Sequence, residues 1–117
     1  MTPATPPVVT RYLKAADAAD AQGCADCFTA DGFVLDEGVT HRGRAAIADW
    51  RVTTAARWTY TTTVTGVREP GADGEFRVDV RVEGDFPGAV ADLTFGFTLD
   101  GDLITALRIV EREEERA

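Results

Sequence analysis

The sequence predicts an α+β domain, helices first and a mostly antiparallel sheet after them. Three observations carry that prediction. Apolar residues recur every three or four positions in the first half of the chain, as in helices buried along one stripe. From Phe76 onward apolar and polar residues alternate strictly, as in half-buried strands. Short turn signals separate the alternating runs, so consecutive strands pair as hairpins and form a sheet on one side of the helices.

Taken in order, residues 1–7 are Thr/Pro-rich and read as a tail, with Pro7 suited to a first helical turn, where its missing N–H does no harm. Val9, Tyr12, Leu13, Ala16 and Ala19 form an apolar helical stripe to about Asp20, and Gly23 is expected to end that helix. Cys24, Cys27 and Phe28 make one further apolar turn, a second short helix, before a turn at Asp31-Gly32. Phe33-Val34-Leu35 then reads as a strand. Alternation groups Glu37 with Phe33 and Leu35 and sends Asp36 to the face of Val34, so a core on the Phe33/Leu35 face makes Glu37 point inward. Val39–Arg42 is a second short extended piece, and Arg44–Arg57 is a helix with Ile47, Trp50 and Thr54 at helical spacing.

Residues 58–64, WTYTTTV, are β-branched and aromatic and read as a strand, reversed by a turn over residues 69–74. Phe76, Val78, Val80 and Val82 alternate with Arg77, Asp79, Arg81 and Glu83. A turn over residues 84–88 leads to Leu93, Phe95, Phe97 and Leu99, and Asp100-Gly101-Asp102 is a tight hairpin signal before a last strand over residues 103–110. The organisation is therefore one domain, residues 8–110, with a charged tail at 111–117.

Composition narrows the function classes. A formal net charge of −8 and a pI near 4.5 oppose nucleic acid and anionic membrane surfaces, leaving a small molecule or another protein as partner. No apolar run approaches the ~20 residues of a membrane span, and the N-terminus lacks a basic start and apolar core, so the cytoplasm is expected. Cys24-Ala25-Asp26-Cys27 is formally a C-x-x-C. A zinc site needs two further ligands, and the chain offers only one histidine beyond these cysteines; with Phe28 they share one helical face and read as buried free thiols. There is no Gly-rich phosphate loop or metal-ligand spacing, so neither cofactor nor metal is expected.

The order helix, short helix, strand, then Gly43-Arg44-x-x-Ile47-x-x-Trp50, then long strands ending in Gly101-Asp102-Leu103-Ile104-Thr105-x-Leu107-Arg108 resembles the nuclear transport factor 2-like superfamily, in its SnoaL-like and ketosteroid isomerase-like branch. The likeness spans residues 8–110. It implies a cone-shaped fold, a curved mostly antiparallel sheet wrapped around about three helices with an internal pocket, and a homodimer paired through the open face of the sheet. Ile104, Ala106 and Val110, opposite Leu107 and Ile109, suit such pairing.

The resemblance also implies site residues. Glu37 falls on the position of the isomerase's carboxylate base, and an apolar pocket tunes a carboxylate for proton transfer by disfavouring its charged form. Tyr12 falls where the isomerase's oxyanion-stabilising tyrosine sits. His41, the sole histidine, is a titratable donor or base near the pocket mouth, and Trp50, Trp58, Phe33, Leu93 and Phe95 are expected to line the pocket against a small hydrophobic molecule. Structural readings of the same residues stay open: a strand-end carboxylate at Glu37, a core tyrosine at Tyr12, a surface His41 and core tryptophans. The isomerase's second oxyanion donor, a protonated aspartate, has no counterpart, since Leu93 or Phe95 takes its place and Asp92 lies on the opposite face. Arg77-Val78-Asp79 resembles the Arg-x-Asp segment of limonene epoxide hydrolase, whose third acid would fall at Ile109; the plainer reading is one solvated or dimer-facing side of a strand. The sequence therefore points to a cofactor-independent isomerase or cyclase acting next to the carbonyl of a polyketide- or steroid-like compound, with a non-catalytic ligand-binding protein and an epoxide hydrolase-like enzyme as alternatives.

Overall fold

A computed structural model describes residues 5–68 and 74–111. The elements are α1 (Pro7–Asp17), α2 (Ala21–Asp26), β1 (Phe28–Asp36), β2 (Val39–Arg42), α3 (Arg44–Arg57), β3 (Tyr60–Arg68), β4 (Phe76–Gly84), β5 (Val90–Asp100) and β6 (Leu103–Glu111). The strands form one open sheet in the order β2-β1-β6-β5-β4-β3, antiparallel throughout except where β1 runs parallel to β6. The α+β expectation holds. Residues 69–73 of the turn expected at 69–74, residues 1–4 of the first tail and residues 112–117 of the second lie outside the described residues. No described helix is long and apolar enough to cross a membrane.

Local chemistry explains the element ends, and corrects the reading at three of them. Helix α1 starts on Pro7 and buries Val8, Val9 and Tyr12. It stops at Asp17, and Gly23 lies inside α2 rather than ending α1. Asp20 caps α2 by accepting the Gly23 N–H at 2.9 Å, and a Cβ on residue 23 would run into that carboxylate. Asp31-Gly32 is not a turn but an irregularity within β1, where the pairing with β6 slips between Phe28 and Phe33. Glycine is required there because a Cβ would sit 3.1 Å from the carbonyl oxygens of both Thr29 and Ile104.

Register then fixes which side chains face the helices. Val34 lies beside Leu107 and Asp36 beside Ile109; Phe95 and Phe97 face Ile109 and Leu107, and Val78 and Phe76 continue the layer. This inner face packs on α1, α2 and α3 in one core that includes Val9, Tyr12, Cys24, Phe28, Ile47 and Trp50. Phe33 and Leu35 lie on the outer face, paired beside Ala106 and Arg108. Ile104 departs from the sequence reading: a register shift between Thr98 and Leu99 turns it into the core, where it is fully buried, while Ala106 and Val110 stay on the outer side.

The outer face also carries an ionic layer. Arg108 forks onto the Glu75 carboxylate at 2.7 and 3.1 Å, with Arg77 at 3.0 Å, and Glu75 lies over Gly96. Asp79 accepts from Arg68 and from the Thr94 hydroxyl, each at 2.8 Å.

Candidate functional site

An open cleft of about 1490 Å³ separates the inner face of the sheet from α1 and α3. Leu13, Trp58, Phe86, Leu93, Phe95 and Ile109 give it apolar walls. Its buried and half-buried polar groups include Tyr12, Asp36, Trp50, Arg51 and Tyr60, one or two residues from each of four elements.

Asp36 is the last residue of β1, on the inner face by its pairing with Ile109, and the Trp50 indole N–H donates to its Oδ2 at 3.0 Å. Trp50 is itself fixed: it is 7 % exposed, the His41 ring lies 5.9 Å from its own, and the Arg51 guanidinium sits 5.1 Å from its centroid. Arg51, also 7 % exposed, donates to the Tyr60 hydroxyl at 2.9 Å. Tyr12 is enclosed edge-on by Phe28 and Phe97, with ring centroids at 5.9 and 5.8 Å. Burial pushes its phenol pKa far above the ordinary value, an effect that the neighbouring Arg51 charge only partly opposes, so the hydroxyl remains an O–H donor at any physiological pH. Burial likewise pushes the Cys24 thiol up to about 11, and both cysteines are free and buried, as their spacing suggested.

The sequence-predicted residues fall in three places. Tyr12, Trp50, Trp58, His41, Leu93 and Phe95 all line the cleft. Glu37 borders the cleft but is exposed, not inward. With φ of 52° and 77°, Glu37 and Gly38 are the two central residues of a hairpin turn between the paired Asp36 and Val39, and that turn rotates Glu37 out of the strand. Phe33 does not reach the cleft at all: it lies on the outer face with the Arg42 guanidinium 4.7 Å over its ring. Arg77 and Asp79 also face outward, opposite the cleft, so the epoxide hydrolase-like trio is not assembled. Arg51 and Tyr60 were not anticipated. The spacing Ile47, Trp50, Arg51, Thr54 places Arg51 on the apolar stripe of α3, which was the available signal. Among the described residues no group of three His, Cys, Asp or Glu side chains is arranged to hold a metal ion.

The chain matches no family model and no curated protein sequence. Among solved structures it is similar to a candidate polyketide cyclase from Sinorhizobium meliloti, 30% identical over 91% of this chain and 95% of that one, with a TM-score of 0.84. A protein of ketosteroid isomerase-like fold from Catenulispora acidiphila, solved with trimethylamine, is 24% identical over 92% of this chain and 86% of that one, with a TM-score of 0.79. The Δ5-3-ketosteroid isomerase from a Mycobacterium species shares the fold at 20% identity, a TM-score of 0.73 and 90% coverage of each chain.

Proposed function

The chain belongs to the nuclear transport factor 2-like superfamily, in its SnoaL-like and ketosteroid isomerase-like branch, and from that premise we propose that its cleft performs cofactor-independent proton transfer next to the carbonyl of a hydrophobic, ring-bearing compound of polyketide or steroid type. The observation that carries this reading is the orientation of Asp36: a carboxylate on the inner face, held by the Trp50 indole among apolar walls. Asp36 takes the proton from the carbon beside the carbonyl. The Tyr12 hydroxyl, kept protonated by burial, donates to the oxyanion that develops. His41 acts through Trp50, by stacking on the indole that positions the base. Glu37, at the mouth, has the side chain but not the direction for the same task.

The test is hydrogen–deuterium exchange at the carbon next to the carbonyl of polycyclic ketones, followed by NMR. Asp36→Asn is expected to slow exchange by ~10²–10⁴-fold, the span of a general base, with ligand affinity kept. Glu37→Gln is expected to exchange within a few-fold of wild type. The opposite pattern assigns the base to Glu37, and ketone binding without exchange in the wild-type protein makes the cleft a binding site alone.

A further inference from the structure

Arg51 carries a charge with which no carboxylate pairs directly among the described residues. Its guanidinium offers five N–H donors and is always cationic. It gives one hydrogen bond to Tyr60 and packs on the Trp50 ring. The groups acting on it most strongly besides its own desolvation are Tyr12, Tyr60 and Cys24; burial keeps Tyr12 and Cys24 protonated, and Tyr60 is a phenol. None supplies negative charge at neutral pH. Among the described residues no carboxylate pairs with Arg51, whereas on the outer face Arg68, Arg77, Arg81 and Arg108 each take one, although Arg68, Arg81 and Arg108 keep 40% or more of their side-chain surface in solvent. A cation 93% buried without a paired carboxylate is costly to retain.

We propose that the substrate of this cleft is an acid, and that its carboxylate docks on Arg51 beside Tyr60 while its ring system lies along Trp58, Leu93 and Phe95. This rests on the reading of the cleft as the substrate site and names the class of compound it takes. The guanidinium fork matches a carboxylate in a two-bond arrangement, and the adjacent Tyr60 phenol supplies a further donor. The remaining lining decides the charge. Asp17, Glu37, Asp49 and Glu111 are exposed along the cleft, and Arg57, the other arginine there, lies over the Trp58 ring. With the Asp36 carboxylate also in the cleft, that acidic surround rejects a polyanion such as a phosphate ester and admits the single negative charge that Arg51 offsets, the exposed acids at the mouth being screened within about 8 Å at physiological salt.

Two probes of nearly the same shape test it by calorimetry: 2-naphthoate, an acid, and 2-acetylnaphthalene, its neutral ketone counterpart. The wild-type protein is expected to bind naphthoate ~10-fold or more tighter than the ketone. Arg51→Gln is expected to abolish that preference, and Arg51→Lys to keep part of it. Equal affinity for the two probes, an undiminished preference in Arg51→Gln, or no naphthoate binding at millimolar concentration overturns the proposal. A readout that needs no variant is the ionisation of naphthoate labelled with ¹³C at the carboxyl group. Bound to the wild-type protein it must titrate at lower pH than free, and an unchanged or raised value overturns the proposal. Naphthoate has no exchangeable hydrogen next to its carbonyl, so it reports the anion site alone. Exchange at the methyl of 2-acetylnaphthalene reports Asp36, so either reading fails without the other.

Discussion

Asp36 and Glu37 are adjacent carboxylates with opposite environments, and the difference comes from one hydrogen bond and one turn. The indole N–H at 3.0 Å gives Asp36 a fixed direction into the cleft, while the left-handed backbone at Glu37 turns its side chain to water. A hydrogen bond to a charged group is worth about 1.5–3 kcal/mol. If that energy holds the base in line for proton transfer, Trp50→Phe lowers the exchange rate by ~10-fold or more while the protein stays folded, since the ring is kept and only the N–H is lost. Circular dichroism beside the exchange rate checks this, and a rate equal to wild type removes Trp50 as a positioning residue. The sequence placed a carboxylate at this spot with Glu37 pointing inward, whereas of the pair it is Asp36 that faces the cleft. Alternation was anchored on Phe33 and Leu35 because they are apolar, yet those side chains sit on the outer face, Phe33 under the Arg42 guanidinium. Arg51 escaped notice for the converse reason: a charged residue in a helix is normally solvent-facing, and only its spacing from Ile47 and Trp50 said otherwise.

At the scale of elements, alternation read β4 and β5 correctly because both have one face packed on helices, and it missed what alternation does not encode. The irregularity at Asp31-Gly32 and the shift at Thr98/Leu99 each depend on partners distant in sequence, and together they set the faces of β1 and β6. Gly96 is a similar case. A Cβ there would occupy the place of the Glu75 carboxylate, which spans from β4's start to Arg108 on β6. Gly96→Ala is therefore expected to expel Glu75 and cost about 1–3 kcal/mol, the range for losing charged hydrogen bonds at a buried carboxylate. The same substitution in a Glu75→Ala background has no carboxylate to displace and is expected to be nearly neutral. Urea midpoints of the four proteins of this cycle measure the coupling, and additive effects would show that the carboxylate moves aside at no cost.

For the whole molecule, element order and hairpin signals made the fold class legible, but not the cleft, which exists only once β1 docks parallel to β6 and α3 closes over both. That docking also buries weak acids in one core, among them Cys27, whose thiol is likewise pushed up by burial. Tyr12 lies in α1 and Cys24 in α2, both within the cluster that joins the helices to the sheet, and burial raises both pKa values. Below pH 9 both groups are protonated in folded and unfolded chains alike, and their ionisation does not affect stability. As pH rises past 9, the ordinary value of the thiol, the unfolded chain releases its Cys24 proton while the folded chain holds it to about 11. The unfolded state then binds fewer protons, so stability falls with pH across that window. Above about pH 10 the unfolded chain also ionises Tyr12, whose folded-state value lies higher still, and the slope steepens. Urea midpoints measured from pH 7 to 11 should be level at first and then decline. Cys24→Ala should flatten the decline between 9 and 11, and Tyr12→Phe should remove the steeper part. A wild-type midpoint that stays constant to pH 11 would mean that these two groups reach water in the folded protein, and the enclosed core around Tyr12 would have to be redrawn.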